Sequence, residues 1–227
     1  MVKILNCKDV TCAVWDDFPA EGTGLLDCKA DFVECWLEPG QTTEKQWLEK
    51  NGFYFLERFL DCRIMLRNLP EKPKRMRYET GIGQAATEEL QNVYYAAFTQ
   101  DRRMHLGQGY EQDLANRLID YYIREAQSEN MVLLECRYKK QLAGCAFLRE
   151  TDSAYEVYLA GVLPLYQKTG MAVELYRACA DFAAEAGKRM LTGRISAANT
   201  DVMNLYARLG AAYYHPRDVY ARDQREK

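Results

Sequence analysis

The residues best placed to do chemistry lie in a short polar segment between an apolar run and a long helical pattern. Residues 162–172 read VLPLYQKTGMA. Pro164 interrupts the apolar run, and a helix is predicted to begin directly after Gly170. In the first turn of a helix several backbone N–H groups lack partners, and the helix dipole adds partial positive charge. The segment therefore has the features of an anion site, although an ordinary helix start with a loop glycine would look the same.

Four residues of this segment favour a phosphate as the anion. Gly170 has no Cβ, so a phosphate could approach its backbone closely. Lys168 adds a mobile cation, and Gln167 and Thr169 add hydrogen-bond donors. The P-loop motif is excluded, because no glycine precedes Lys168 at the spacing that this motif requires.

A second glycine motif offers a rival site. Residues 81–86 read GIGQAA and match the G-x-G-x-x-A pattern of dinucleotide-binding loops. The motif follows the charged segment KPKRMRYET rather than a buried strand, and no parallel crossover unit is predicted after it. A dinucleotide enzyme is therefore the weaker of these two interpretations.

Hydrophobic periodicity predicts the elements that position the polar segment. Residues 171–186 are the clearest helix, because their apolar side chains recur at helical spacing. The other predicted helices are 87–98, 110–126 and 199–209, and the strands are a short piece before residue 87, 131–138, 144–149, 155–162, 190–196 and 211–220. The resulting order, β-α-α-β-β-β-α-β-α-β, is typical of an α/β domain with a mixed sheet.

The chain is predicted to divide into two parts. The prolines and basic residues around 71–80 indicate a linker between a small N-terminal α/β lobe, residues 1–70, and a larger domain, residues 78–227. The smaller lobe is predicted to contain a strand at 29–37, a helix at 43–51 and one or two strands at 53–66.

Composition excludes several classes of protein. The formal net charge of −3 gives no basic excess for nucleic acid or an anionic membrane. No apolar run reaches the length of a membrane span, and the first residues do not resemble a signal peptide, so we expect a cytoplasmic protein. The eight cysteines and two histidines lack metal-ligand spacing, so no metal site is predicted and the cysteines are expected to be reduced and structural.

The spacing of Gln167, Gly170 and Ala172, with Asn199 and Tyr206 further along the chain, resembles that of the GCN5-related N-acetyltransferase (GNAT) superfamily. The pyrophosphate motif of that family, Q/R-x-x-G-x-G/A, is matched by Gln167, Gly170 and Ala172. The later family pattern is matched by Asn199, Tyr206, Leu209 and Gly210, while Ala211 stands where phenylalanine is common. The resemblance implies a mostly antiparallel mixed sheet flanked by helices, and an acetyl-CoA-dependent acetyltransferase that acts on a small-molecule primary amine.

The same resemblance implies roles for named residues. The amides of Gln167, Lys168, Thr169, Gly170, Met171 and Ala172 would hold the CoA pyrophosphate. The pantetheine arm would follow the strand that ends at Val162, with a bulge for which Gly161 is well suited. Tyr206 would be the general acid for the leaving thiolate. Asn199 would hold CoA or cap the helix that follows it.

The general base and the acceptor contacts are less determined by the sequence. Glu156 is the candidate base, although a surface carboxylate without a catalytic role would also explain this residue, and a relayed water could replace any side-chain base. Glu156 and Tyr158 would share a face with Val162 unless a bulge intervenes. Tyr158, Arg103 and His105, with Arg102 beside them, are the candidate acceptor contacts, although solvated loop charges would also explain the basic residues.

Over most of the chain there is a looser resemblance to the dTDP-fucosamine acetyltransferase branch, where a small lobe precedes the catalytic domain and the acceptor is a nucleotide-linked amino sugar. Two alternatives stay open. One is an acyl-CoA-binding or regulatory protein that kept the fold without the chemistry. The other is the dinucleotide enzyme. A homodimer is compatible with the sequence but is not established by it.

Overall fold

A computed structural model describes residues 1–69, 78–99, 101, 103–104 and 112–225 of the chain. The strands are β1 (Val2–Cys7), β2 (Val10–Trp15), β3 (Phe32–Leu37), β4 (Tyr54–Met65), β5 (Glu79–Ile82), β6 (Val132–Tyr138), β7 (Gln141–Glu150), β8 (Ala154–Val162), β9 (Met190–Ser196) and β10 (Ala212–Asp223). The helices are α1 (Thr23–Asp27), α2 (Thr42–Lys50), α3 (Thr87–Ala97), α4 (Gln112–Ser128), α5 (Met171–Glu185) and α6 (Thr200–Arg208). Short 3-10 turns cover Leu66–Asn68 and Pro164–Tyr166.

All of these strands belong to one sheet, in the order β1-β2-β3-β10-β4-β9-β8-β7-β6-β5. Two neighbouring pairs are parallel, β2 with β3 and β8 with β9, and every other pair in this order is antiparallel. The predicted fold class, a mixed and mostly antiparallel sheet flanked by helices, is confirmed.

Strands from both sides of the predicted linker lie side by side in this sheet. β10 pairs with β3 on one edge and with β4 on the other, and β4 in turn pairs with β9. Residues 70–77 of the predicted linker lie outside the described residues. The division into an N-terminal lobe and a larger domain therefore stays a prediction, but the backbone hydrogen bonds of the sheet run across it.

From residue 79 onward the element order is the predicted one, and β9 has the predicted bounds. The prediction missed β1, β2 and α1 near the N-terminus. The last predicted strand, 211–220, forms β10, whose pairing with β4 shifts register between Tyr214 and Arg217 and again between Val219 and Tyr220.

Two apolar clusters fill the opposite faces of the sheet. On β7, Phe147 faces α3 and α4 whereas its neighbour Leu148 faces α5 and α6, as the alternation of side chains along a strand requires. Seven of the eight cysteines are buried, and all eight thiols are free, so these residues pack as small apolar side chains. Among the described residues, no helix is long and apolar enough to cross a membrane.

Candidate functional site

The two central parallel strands separate partway along their length. β8 pairs with β9 only over residues 154–157 and 190–193. Beyond that point β8 continues beside β7 as far as Val162, and β9 continues beside β4 as far as Ser196. Residues 158–162 of β8 therefore have one edge without a strand partner in the part of the chain that the structure describes. We call this opening between residues 158–162 and 194–196 the fork.

A bulge in β8 marks the start of the fork. Phe147 pairs with Leu159 and Leu148 pairs with Val157, which leaves Tyr158 as the extra residue. The suggestion that Gly161 would suit the bulge is wrong. A Cβ on Gly161 would lie 3.0 Å from the Tyr94 ring of α3, so the glycine instead allows close packing of that helix.

The bulge also changes which side chains share a face. Glu156 and Tyr158 both contact Arg149. The guanidinium of Arg149 donates to the Glu156 carboxylate at 3.3 Å, and its central carbon lies 4.4 Å from the Tyr158 ring centre. Val162 instead packs in the cluster that contains Met171 of α5. Val162 therefore lies on the opposite face from Glu156 and Tyr158, because the bulge reverses the alternation between them.

The loop after β8 leads directly into α5 with two left-handed residues. Lys168 has φ of 63° and Gly170 has φ of 96°, and α5 begins at Met171. A Cβ on Gly170 would meet no atom within 4 Å, so the space beside this residue is open. The backbone N–H groups of Gly170, Met171 and Ala172 make no hydrogen bond with another described residue. This helix start is accessible and has free donors, as an anion site requires.

Side chains of the loop hold its shape. The Gln167 amide donates to the Val162 carbonyl at 3.2 Å. The Thr169 hydroxyl donates to the Tyr166 carbonyl at 2.5 Å and accepts from the Tyr78 hydroxyl at 2.8 Å. Both side chains are thus engaged within the protein, and Lys168 is exposed beside them. Their predicted contacts with a phosphate stay predictions.

Tyr206 of α6 directs its hydroxyl to the start of the fork. A Cβ on Gly193, the last β9 residue paired with β8, would lie 3.2 Å from the Tyr206 hydroxyl oxygen and 3.6 Å from the Val157 carbonyl. The hydroxyl thus occupies the space that the missing side chain leaves. Burial raises the pKa of Tyr206 well above its ordinary value, so the phenol stays protonated at neutral pH.

Two further side chains surround this hydroxyl. Tyr206 donates to the Tyr176 hydroxyl of α5 at 3.2 Å, and their ring centres are 5.1 Å apart. The Cys62 thiol lies nearby and donates to the Gly193 carbonyl at 3.2 Å. Burial raises the pKa of Cys62 to about 12, so it remains a neutral thiol.

Asn199 caps α6 at the far end of the fork. Its side-chain oxygen accepts from the Val202 backbone N–H at 3.1 Å, which satisfies one of the free donors of the first turn. The capping role predicted for Asn199 is therefore present. The alternative contact with CoA stays a prediction.

Tyr158 joins the bulge to α4 on the other face. Its hydroxyl forms a short hydrogen bond with the Glu125 carboxylate, which also accepts from Tyr121 at 3.0 Å and from Lys3 at 2.6 Å. Burial and the neighbouring carboxylate raise the pKa of Tyr158. Burial opposes ionisation of Glu125, but its three donors outweigh burial and lower the pKa of this carboxyl.

Arg103 links the connection between α3 and α4 to strand β3. Its guanidinium lies 3.2 Å from the buried Glu34 carboxylate and 5.4 Å from the Trp36 ring centre, and on its other side it lies 5.6 Å from the Tyr122 ring centre. Burial alone would lower the pKa of Arg103, but Glu34 raises it, so the guanidinium stays charged. His105 and Arg102 lie outside the described residues.

Glu34 and Trp36 were not among the predicted site residues. The two residues are two positions apart in KADFVECWL, so their side chains lie on the same face of β3. Without the order of the strands in the sheet, however, the sequence could not show that this face meets Arg103. Trp36 also lies 5.0 Å from the guanidinium of Arg194, a β9 residue at the fork. An aromatic ring from the N-terminal part of the chain thus forms part of the wall of the fork.

The rival dinucleotide motif is contradicted by its surroundings. β5 is an edge strand that pairs antiparallel with β6, so residues 81–86 do not join two parallel strands. A Cβ on Gly83 would lie 2.0 Å from the Glu135 side chain. The glycine is therefore explained by close packing against Glu135, whose carboxylate accepts from the Ala85 N–H at 2.6 Å.

Comparison with known proteins gives this fold a context. The sequence profile described as "Acetyltransferase (GNAT) family" matches residues 87–211, more than half of the chain. No curated protein matches the chain.

Several solved structures share the fold. A conserved protein of unknown function from Staphylococcus epidermidis has a TM-score of 0.70 at 15% identity, over 93% of this chain and 84% of that one. A GCN5-related N-acetyltransferase from Sphaerobacter thermophilus has a TM-score of 0.63 at 15% identity, over 98% of this chain and 76% of that one. A GCN5-related N-acetyltransferase from Kribbella flavida has a TM-score of 0.55 at 15% identity, over 84% of this chain and 68% of that one. At these identities the similarity concerns the fold alone.

Proposed function

The chain belongs to the acetyltransferase (GNAT) family, and from this we propose that it transfers an acetyl group from acetyl-CoA to the primary amine of a small molecule. The observation that carries the proposal is the fork between β8 and β9, which opens beside a helix start with free amides and has a tyrosine hydroxyl at its base. Family membership supports acyl transfer in general, while the donor, the acceptor and the residue roles below are our proposal.

The geometry fits CoA in two respects. The N–H groups of Gly170, Met171 and Ala172 are free donors at the positive end of a helix dipole, which suits a diphosphate. The open space beside Gly170 leaves room for it. The unpaired edge of β8 over residues 158–162 offers backbone groups to the amides of a pantetheine arm, as an added strand would do.

Acetyl-CoA would supply the acetyl group already activated as a thioester. The amine nitrogen forms a bond to the acetyl carbon, the carbon–sulfur bond breaks, and the Tyr206 hydroxyl gives its proton to the leaving sulfur. The Tyr206 phenol carries its proton at neutral pH, as a general acid requires. Tyr206 reaches the fork from the α5 and α6 face.

The opposite face would receive the amine. Glu156 and Tyr158 lie on that face at the base of the fork, and a base there could accept the proton that the attacking nitrogen loses. The Glu156 side chain is 34% exposed and forms an ion pair with Arg149. We propose that Glu156 is the base and that it acts directly or through a water. Donor and acceptor would then meet through the gap between the strands.

The acceptor wall includes the N-terminal part of the chain through Trp36 and the Arg103–Glu34 ion pair. The looser resemblance to the dTDP-fucosamine branch suggests a nucleotide-linked amino sugar as the amine. Arg103, Tyr158 and the undescribed His105 are the acceptor contacts that we propose.

The test has two stages. Calorimetric titration of the wild-type protein with CoA should show binding. A panel of amines that includes a dTDP-linked amino sugar is then incubated with acetyl-CoA, and free thiol is measured. No binding of CoA would refute the proposal. Binding without transfer to any amine would favour the non-catalytic acyl-CoA-binding alternative.

A matched pair of variants tests the general acid. Tyr206→Phe should bind CoA as the wild type does but lower kcat by about 100-fold or more, the typical contribution of general acid catalysis. Tyr213→Phe is the control, since its hydroxyl bonds the Met203 carbonyl at 2.6 Å on the same helix α6. Wild-type kcat in Tyr206→Phe would show that Tyr206 is not the acid.

A further inference from the structure

We propose that Tyr176 is a positioning residue that holds the Tyr206 hydroxyl at the base of the fork. This inference rests on the proposed function, because it concerns the acid of that reaction. Tyr176 lies on α5, the same helix whose first turn would hold the diphosphate, and it approaches Tyr206 from the opposite helix of the pair. The resemblance to the acetyltransferase family gave this residue no role.

The contact between the two tyrosines is direct and buried. The Tyr206 hydroxyl donates to the Tyr176 hydroxyl at 3.2 Å, and the rings meet edge to face at 5.1 Å and 71°. Tyr206 is 2% exposed and Tyr176 is 8% exposed, so water does not compete for this hydrogen bond at the protein surface. The bond fixes the position of an oxygen that lies beside the Cys62 thiol and within an apolar cluster.

The same helix connects this hydrogen bond to the proposed donor site. Met171 is the first residue of α5, and Tyr176 follows it by five positions, about 7.5 Å along the helix axis. Because a helix is stiff over this length, the diphosphate-binding amides and the tyrosine pair keep a constant separation. Tyr176 therefore sets where the acid lies relative to the bound thioester.

Tyr176 also has a role once the proton has moved. The O–H bond of Tyr206 breaks as the S–H bond of the leaving thiol forms, which leaves a buried phenolate. The Tyr176 hydroxyl can then turn and donate to that oxygen while it keeps its own proton, and hydrogen bonds to charged groups are the stronger ones. Glu156 releases the proton of the amine nitrogen to solvent, and Tyr206 takes up a proton from solvent after the products leave, so the overall reaction is balanced.

The experiment is a double-mutant cycle measured on the full chain with acetyl-CoA and the best amine of the panel. Tyr176→Phe should lower kcat by about tenfold to 100-fold, the value of a hydrogen bond to a charged group, and leave KM for acetyl-CoA unchanged. In the Tyr206→Phe background the same substitution should cause no further loss, because a residue that acts only through Tyr206 has nothing left to position.

Tyr155→Phe is the matched control, since Tyr155 is also a buried tyrosine on the α5 face and packs against Phe182. It should keep wild-type kcat. Wild-type kcat in Tyr176→Phe, or an equal loss in the Tyr206→Phe background, would overturn the positioning role. If Tyr206→Phe itself keeps wild-type kcat, the general acid of the proposed function fails as well, so the two failures are distinguishable.

Discussion

Substitution of Gly170 by alanine separates the anion site from the stability of the fold. Gly170 has φ of 96°, a conformation that strains any residue with a Cβ, but no atom of the described residues lies within 4 Å of the added carbon. The strain should lower the free energy of unfolding by about 1–2 kcal/mol. The same methyl group would project into the space where we place the diphosphate, and it should therefore also weaken CoA binding.

The expected loss of affinity follows from the donors at this position. If the methyl group displaces the diphosphate from one amide, the lost hydrogen bond to a charged group is worth about 1.5–3 kcal/mol, which raises the Kd for CoA by about tenfold to 100-fold. Calorimetric titration with CoA measures the Kd, and thermal unfolding without ligand measures stability.

Gly187 offers a control on the same helix. It follows the C-terminal end of α5, has φ of 75°, and likewise has no atom within 4 Å of an added Cβ. Gly187→Ala should therefore cost a similar free energy of unfolding, about 1–2 kcal/mol, and leave the Kd for CoA unchanged. An unchanged Kd in Gly170→Ala, or an equal increase in both variants, would refute the placement of the diphosphate at the start of α5.

Two further predictions address the fork and the sheet. Gly193→Ala should lower kcat by about tenfold to 100-fold and leave the Kd for CoA unchanged, because the new carbon would lie 3.2 Å from the Tyr206 hydroxyl and displace it. Steady-state kinetics measure this effect, and a wild-type kcat in the variant would contradict the prediction. Asp218 is buried and bonded to Arg58 and Lys45, which outweigh burial and lower its pKa. Its contribution to stability is present above the unfolded pKa of about 3.9 and is lost as pH falls through the folded pKa. The destabilisation of Asp218→Asn in urea unfolding should therefore be about 2 kcal/mol at neutral pH and smaller below about pH 4, and a constant difference would show that the ion pairs contribute nothing.

The elements that were predicted well are those with long periodic patterns. The helix α5 carries apolar side chains at every turn, and β9 is bounded by clear turn signals, so both could be located from sequence alone. The hairpin of β1 and β2 was missed because it turns through Lys8, which has φ of 65° in place of the usual glycine or asparagine.

The loop of the candidate site was predictable because its donors belong to one continuous segment. Residues 162–172 bring the strand end, the glycine and the helix start together whatever the rest of the chain does. The bulge at Tyr158 could not be located, since the sequence shows neither the register of β8 against β7 nor the hydrogen bond from Tyr158 to Glu125, which is 33 positions away. Tyr176 and Trp36 were missed for the same reason, because their neighbours in the structure come from distant elements.

The place of β10 in the sheet has a consequence for synthesis of the protein. Strands β3 and β4 do not pair with each other, and β10, which ends at Asp223, lies between them. The ribosome must therefore add the residues from 38 to 223, which takes roughly ten to forty seconds, before β3 can pair with β10 as well as with β2. Until then the nascent chain presents two open strand edges, so chaperone protection during translation should matter more for this protein than for one whose strands pair in the order of synthesis.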